Sequence, residues 1–201
     1  MSVHKRNVMY FESPGFLNTD SVIEMTKERL RMRDVAAVIV PMTTGHTLEK
    51  FVNKLGKETK IISISEDEVM KACKRISYPD KGALGKLIRN RLDESSKNDI
   101  RLRRDIFDIT FLPLCGDAWK LIAETLYVFG QGMKVAIEIA VAAVEIGKIG
   151  SSMKVISVGG TGEGADTAVV LRTSTQKESF AGKPEKRLSI QEILAMPMEK
   201  W

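Results

Sequence analysis

Val38-Ile39-Val40-Pro41-Met42-Thr43-Thr44-Gly45-His46-Thr47 runs from a buried-strand pattern into a short turn of hydroxyls and glycine. Directly after it, Leu48, Phe51, Val52 and Leu55 recur at the spacing of one helix face. A strand, a tight turn and a helix start in that order aim free backbone N–H groups and the positive end of a helix dipole at one point. Thr43, Thr44 and Thr47 add hydroxyls there, and Gly45 permits close approach of a ligand to the backbone. This geometry suits a phosphate. An N-capped helix whose threonines satisfy its own amides is the competing explanation. A Walker lysine and a GxGxxG helix start are both missing from the stretch.

Working outward, residues 8–11 read as a first strand closed by Ser13-Pro14-Gly15. Asn18 or Thr19 then caps a helix through Val22, Ile23, Thr26 and Leu30. Residues 35–40 form the second strand, residues 47–55 the second helix with Gly56 at its end, and residues 60–64 a third strand. This βαβαβ rhythm predicts parallel strands with right-handed crossovers. Further on, residues 84–92 and 119–129 have helical spacing, separated by the basic cluster Lys97, Arg101, Arg103 and Arg104. Interleaved Asp99, Asp105 and Asp108 favour a solvated, ion-paired surface for that cluster. Residues 154–158 and 167–172 are strands, residues 173–186 a polar loop, and residues 190–194 a short helix ended by Pro197.

Residues 132–147 are rich in Val, Ile and Ala but shorter than the ~20 apolar residues a bilayer needs. They predict a core helix, with Lys134, Glu138, Glu145 and Lys148 along its least buried stripe. A length of 201 residues with 43% hydrophobic content suits one α/β domain over residues 1–201. The 31 basic and 26 acidic side chains leave a charge of +5, which favours small anionic ligands and does not demand nucleic acid. Two cysteines, Cys73 and Cys115, imply no disulfide framework, and the N-terminus shows no signal-peptide core; a cytoplasmic location is expected.

Gly159-Gly160-Thr161-Gly162-Glu163-Gly164 superficially suggests a dinucleotide fingerprint, but β-rich Thr167-Ala168-Val169-Val170-Leu171-Arg172 follows where a helix is required. A glycine loop between two strands is expected instead, with Gly160 at positive φ and bare N–H groups able to form an anion nest. Its plainer alternative is a mobile turn. His46, above a helix start, is read as neutral. Cys115 precedes a helix start, yet no histidine is near it in sequence, and a buried thiol is the commoner outcome. Neither a histidine cluster nor a cysteine pair with metal-ligand spacing occurs, so no metal site is expected. Glu12 and Asp166 are candidates for a pair of carboxylates at one end of the sheet.

Together these segments resemble the C-terminal α/β domain of pyruvate kinase, and more closely its stand-alone archaeal relatives. The resemblance is carried by residues 38–47 with the following helix, Ser77-Tyr78-Pro79-Asp80-Lys81-Gly82-Ala83-Leu84, Ala123-Glu124-Thr125-Leu126, Phe129-Gly130-Gln131-Gly132 with Lys134-Val135-Ala136, and residues 158–172. Residues 101–115 depart from the glycine- and serine-richer segment of the stand-alone group. The resemblance implies a three-layer α/β/α sandwich with a mostly parallel five-stranded sheet whose last strand is antiparallel. It also implies a phosphate site at Thr43, Thr44, Gly45, His46 and Thr47, the positions that match the loop holding a sugar bisphosphate phosphate in the kinases. Nothing here corresponds to the catalytic barrel, so kinase activity is not implied.

The reading that follows is a binding module for a phosphorylated small molecule: a nucleotide, flavin mononucleotide (FMN) or sugar phosphate. Its ligand lies across the carboxyl ends of the strands, with Ser13, Gly15, Thr19, Gly159, Gly160 and Thr161 completing the pocket and Met42 facing a ring. A small flavin-dependent or phosphate-ester-processing enzyme is the alternative, and a homo-oligomer is compatible with either. Nucleic-acid binding through residues 97–104 is disfavoured, because stacking aromatics are not interleaved with those arginines beyond Phe107.

Overall fold

The computed structural model describes residues 3–43, 45–65, 67–68, 125–181 and 183–200. In chain order these contain β1 (Met9–Phe11), α1 (Thr19–Leu30), β2 (Val38–Met42), α2 (His46–Leu55), β3 (Ile61–Ser65), α3 (Gln131–Glu145), β4 (Lys154–Gly159), β5 (Thr167–Arg172), α4 (Gln176–Ala181) and β6 (Ser189–Pro197). The described strands make a six-stranded sheet in the order β1-β6-β5-β4-β2-β3. β1 is parallel to β6, and β2 is parallel to both β3 and β4, whereas β5 is antiparallel to β4 and β6. Five strands therefore point one way and β5 alone is reversed.

This architecture corrects the sequence expectation at its end. Residues 167–172 are the antiparallel strand, as expected, but a sixth strand follows in place of the helix over residues 190–194. Ile190, Ile193 and Leu194 mimic helical spacing because β6 is bulged against β5. Its register runs Ala195 opposite Ala168, Ile193 opposite Val169, Glu192 opposite Val170 and Ile190 opposite Leu171, so β6 twice spends an extra residue. Each bulge breaks the period of two on which a strand is recognised. Residues 173–186, read as loop, contain the short α4 and a 3₁₀ turn at Pro184–Lys186.

The strands bury both faces, as a parallel sheet covered on two sides requires. Ile39, Ile62, Ile64, Val155, Val169 and Leu171 pack on one face under Ala136, Ile139, Ala140 and Ala143 of α3. Val38, Val40, Ile156, Val158, Ala168 and Val170 alternate to the other face, under Val22 and Ile23 of α1 and Phe51 of α2. Val52, expected on the buried face of α2, is half exposed, while Phe51 is completely buried. Small residues let α3 approach β4 closely: a Cβ on Gly159 would stand 1.9 Å from the Gly132 carbonyl oxygen. Ser157, the one polar side chain β4 turns toward α3, donates its hydroxyl to the Ala136 carbonyl at 2.6 Å.

The charged stripe of α3 departs from expectation. Lys134 and Glu138 are buried, and pair with each other at 3.1 Å with the Lys134 ammonium over the Tyr127 ring. A buried ion pair at i, i+4 satisfies both charges, which removes the need for an exposed face. Only the end of the stripe opens to water, where exposed Lys148 bonds the Ser63 carbonyl at 2.7 Å and pairs with Glu68 at 2.6 Å.

Candidate functional site

Because five strands share a direction, β1, β2, β3, β4 and β6 all finish on one edge of the sheet, and β5 starts there. Among the described residues, that edge collects residues 12–18, Thr43, Gly45, residues 160–166 and residues 198–200. The chain leaves β2 toward β3 and leaves β4 toward β5, on opposite sides, which is the switch in direction at which open α/β sheets form a crevice. The β2–β4 ladder ends at Ile39 opposite Ser157, although β2 runs on to Met42 and β4 to Gly159. Pro41, which has no N–H to donate, lies two residues past the last residue of β2 that pairs with β4, while β2 stays paired with β3.

On the β5 side of this switch point, three segments converge on Asp166. Its carboxylate is wholly buried; Oδ2 accepts the Gly15 N–H at 3.1 Å and the Thr161 N–H at 2.9 Å, and Oδ1 accepts the Thr167 hydroxyl at 2.8 Å. Charge-assisted bonds of this kind are about twice as strong as neutral ones, and they make burial of the anion tolerable. Gly132 at the start of α3 faces the same group, since a Cβ there would stand 2.2 Å from Asp166 Oδ1. The Lys200 side chain passes Gly130 nearby and its ammonium bonds the Pro197 carbonyl. Burial pushes that ammonium below its ordinary pKa, against the opposing pull of Asp166.

Thr19 ties the same corner together. Its hydroxyl donates to the Phe16 carbonyl at 2.6 Å and accepts the Ala165 N–H at 3.0 Å. The loop 160–164 then turns through Gly162 and Gly164, both at positive φ. Gly160, expected there, is not at positive φ; it is required for space, because a Cβ on it would stand 2.3 Å from the Gly164 carbonyl oxygen. The loop joins two antiparallel strands and no helix begins in it. Ser13 lies at the rim, where its hydroxyl donates to Glu199 at 3.0 Å.

On the other side of the switch point, β2 ends at Met42 and an exposed Thr43 follows. Thr44 lies outside the described residues. Gly45 takes the left-handed conformation at φ 91 and holds the N-cap of α2, with no side-chain hydrogen bond capping the helix there. Its carbonyl accepts the Glu49 N–H at 2.9 Å, the first bond of α2. The amides of His46, Thr47 and Leu48 are those for which an α-helix has no internal acceptor. His46 is exposed and Thr47 half-buried. Asp20 at the start of α1 is bonded to Lys50 and Lys54 of α2, both at 3.3 Å, and these bonds hold its carboxyl below the ordinary value.

The structure thus gathers Gly15, Thr19, Thr161 and the backbone of Gly159 and Gly160 into one corner, with Thr43, Gly45, His46 and Thr47 on the next strand. Sequence reasoning named Asp166 for this end of the sheet but missed its role as the acceptor that ties three segments together, and it missed Lys200 and Gly132 as members of that corner. The Asp166-Thr167 pair ahead of a strand was the signal, a carboxylate beside a hydroxyl donor where the chain turns inward. Glu12 does not join Asp166 in the interior; it is exposed. The basic cluster 97–104, Cys73, Cys115 and the helices read over 84–92 and 119–124 lie outside the described residues. Among the described residues no group of three His, Cys, Asp or Glu is arranged to hold a metal ion, and no helix is long and apolar enough to cross a membrane. No family model matches the chain.

Proposed function

We propose that the chain binds a phosphorylated small molecule, with its phosphate on the turn that joins β2 to α2. The observation that carries this reading is the glycine N-cap. Gly45 supplies no side chain to the first amides of α2, so neither Thr43 nor Thr47 is the capping residue that the plainer reading requires. Amides without an acceptor inside the helix, at the positive end of its dipole and at the carboxyl edge of a parallel sheet, suit a phosphate dianion. The end of the β2–β4 ladder at Ile39 and Ser157 favours room beside the turn. Half-buried Met42 provides an apolar neighbour for a base, a flavin ring or a sugar face. The resemblance to pyruvate kinase C-terminal domains supports the same position.

The test is calorimetric titration of the protein with a panel of sugar phosphates, nucleoside monophosphates and FMN. Thr43 is exposed, so Thr43→Glu sets a carboxylate beside the amides without disturbing the core. It abolishes binding and leaves the melting temperature within a few degrees, because an acidic group near a helix N-terminus is itself favourable. Thr43→Val loses at most one hydroxyl bond to a charged partner, about 1.5–3 kcal/mol. Equal affinity for wild type and Thr43→Glu contradicts the proposal.

A further inference from the structure

We propose that β1 is the contact strand of a two-fold dimer, pairing antiparallel with β1 of a second copy so that the two sheets run on as one. β1 ends the described sheet, with β6 as its neighbour on the inner side. The Phe11 carbonyl accepts the Met198 N–H at 2.7 Å, so Phe11 turns its backbone groups toward β6. Alternation then turns those of Tyr10 away from the sheet, together with those of Val8 just ahead of it. An unpaired strand edge is a template for another strand, and native edges are commonly blunted with lysine or proline. Residues 7–11, Asn-Val-Met-Tyr-Phe, carry neither, and Tyr10 is 56% exposed. Val3, Val8, Tyr10, Phe16, Leu17 and Met198 are exposed apolar side chains on β1, on the residues leading into it or on the turns at its carboxyl end. They are half of the large apolar side chains exposed among the described residues, and such clustering marks an interaction surface.

The charges select a second copy as the occupant. Arg6 precedes β1 and Glu12 follows it, each three residues from Met9, so the strand is basic at one end and acidic at the other. Such a strand is complementary to its own antiparallel image. With Val8 opposite the second copy's Tyr10, the outward backbone groups of the two residues exchange both N–H···O bonds, and the symmetry repeats the pair. The same register sets Arg6 opposite Glu12 at both ends. A slip of two residues one way puts Val8 opposite Glu12, and the other way puts Tyr10 opposite Arg6. The central register alone of these three matches apolar with apolar and base with acid. Glu12 is exposed, and Arg6 is loosely held, 3.6 Å from Glu192 and 3.3 Å from the Lys5 carbonyl. An unrelated strand would need the free edge alone; the matched offsets of Arg6 and Glu12 are what self-pairing requires. β1 stands four places from β2 in the sheet, so this contact is separate from the β2–α2 turn.

Sedimentation velocity of the full chain and its variants tests the proposal. Wild type sediments as a dimer at about 100 μM. Arg6→Glu and Glu12→Arg each set like charges face to face at both ends of the pairing, and each raises the dimer Kd about tenfold or more. Both changes in one chain restore the facing pairs and bring Kd back to within about threefold of wild type. An equimolar mixture of the two single variants does the same, because each supplies the charge the other lacks. Tyr10→Lys, at an exposed edge position, gives monomers with a melting temperature within a few degrees of wild type. A monomeric wild type overturns the proposal, and so does a dimer whose Kd the single variants change less than about twofold. Weakening without recovery in the double variant or the mixture overturns the register and with it the assignment to a second copy. Should Arg6→Glu disturb the fold through its neighbour Glu192, Glu12→Arg and Tyr10→Lys decide the matter, and an unchanged Kd in both overturns it.

Discussion

Asp166 and the glycines around it show how single atoms set the shape of the candidate site. A carboxylate with no exposure persists only because each oxygen has donors, and those donors come from the exit of β1, the glycine loop and the start of β5. The glycines are there for clearance as much as for torsion. Gly160→Val drives a branched side chain into the Gly164 carbonyl and costs at least about 2 kcal/mol by overpacking. For a chain of this length that lowers the melting temperature by roughly 4–8 °C. Glu163→Gln, at an exposed position of the same loop, leaves it unchanged within about 2 °C. Thermal melts of the two variants check this, and equal losses would contradict it. The sequence showed that this loop is glycine-rich, yet it could not show which glycine needs space and which needs positive φ. Only contacts between Gly160 and Gly164, and between Gly164 and Phe16, make that distinction.

At the scale of elements, α1 is fastened to β6 by Arg29. Its guanidinium, almost wholly buried, reaches Asp34 at 2.5 and 3.1 Å and Glu192 at 2.8 Å twice, with Lys154 and Arg6 bordering the group. The Arg29 hydrogen bonds hold the Asp34 carboxyl well below the usual carboxylate range and lower Glu192 as well. Carboxyl groups whose folded pKa is depressed contribute stability that is complete above about pH 4 and is lost as pH falls below it. Arg29→Met leaves two carboxylates without their shared partner and costs about 2–4 kcal/mol at pH 7, less than for a fully buried pair because Asp34 is partly solvated. Urea denaturation at pH 7, 4 and 3 separates the two proteins. Wild type weakens below pH 4, whereas the variant holds or gains as protonation relieves the repulsion. Parallel declines would contradict this account. The helices and strands on the apolar periodicities of 2 and 3.6 were legible in the sequence: α1, α2, α3 and the first five strands. β6 was not, because its two bulges give Ile190, Ile193 and Leu194 a helical spacing. The Lys134–Glu138 pair was misjudged for a related reason, since periodicity locates a charge on a face without revealing that its partner lets the face be buried.

Across the whole molecule, one edge of the sheet gathers what the chain disperses. Gly15 and Asp166 are 151 residues apart and share a hydrogen bond. The strand-turn-helix at 38–55 could be read locally, because its strand, glycine and helix are consecutive. The corner built on Asp166 could not, because three loops must meet before the carboxylate has its donors. The two halves face one another across β4, one a helix start with a glycine cap, the other a backbone nest already holding an anion. The central claim is that a ligand phosphate rests on the first half. Amide chemical-shift mapping of ¹⁵N-labelled protein titrated with inorganic phosphate, and then with FMN, addresses it directly. The account predicts saturable shifts largest at Gly45, His46, Thr47 and Leu48, with the Gly15 and Thr161 amides little moved because Asp166 retains them. Shifts that leave residues 45–48 unmoved, or that centre on Gly15 and Thr161, would contradict it.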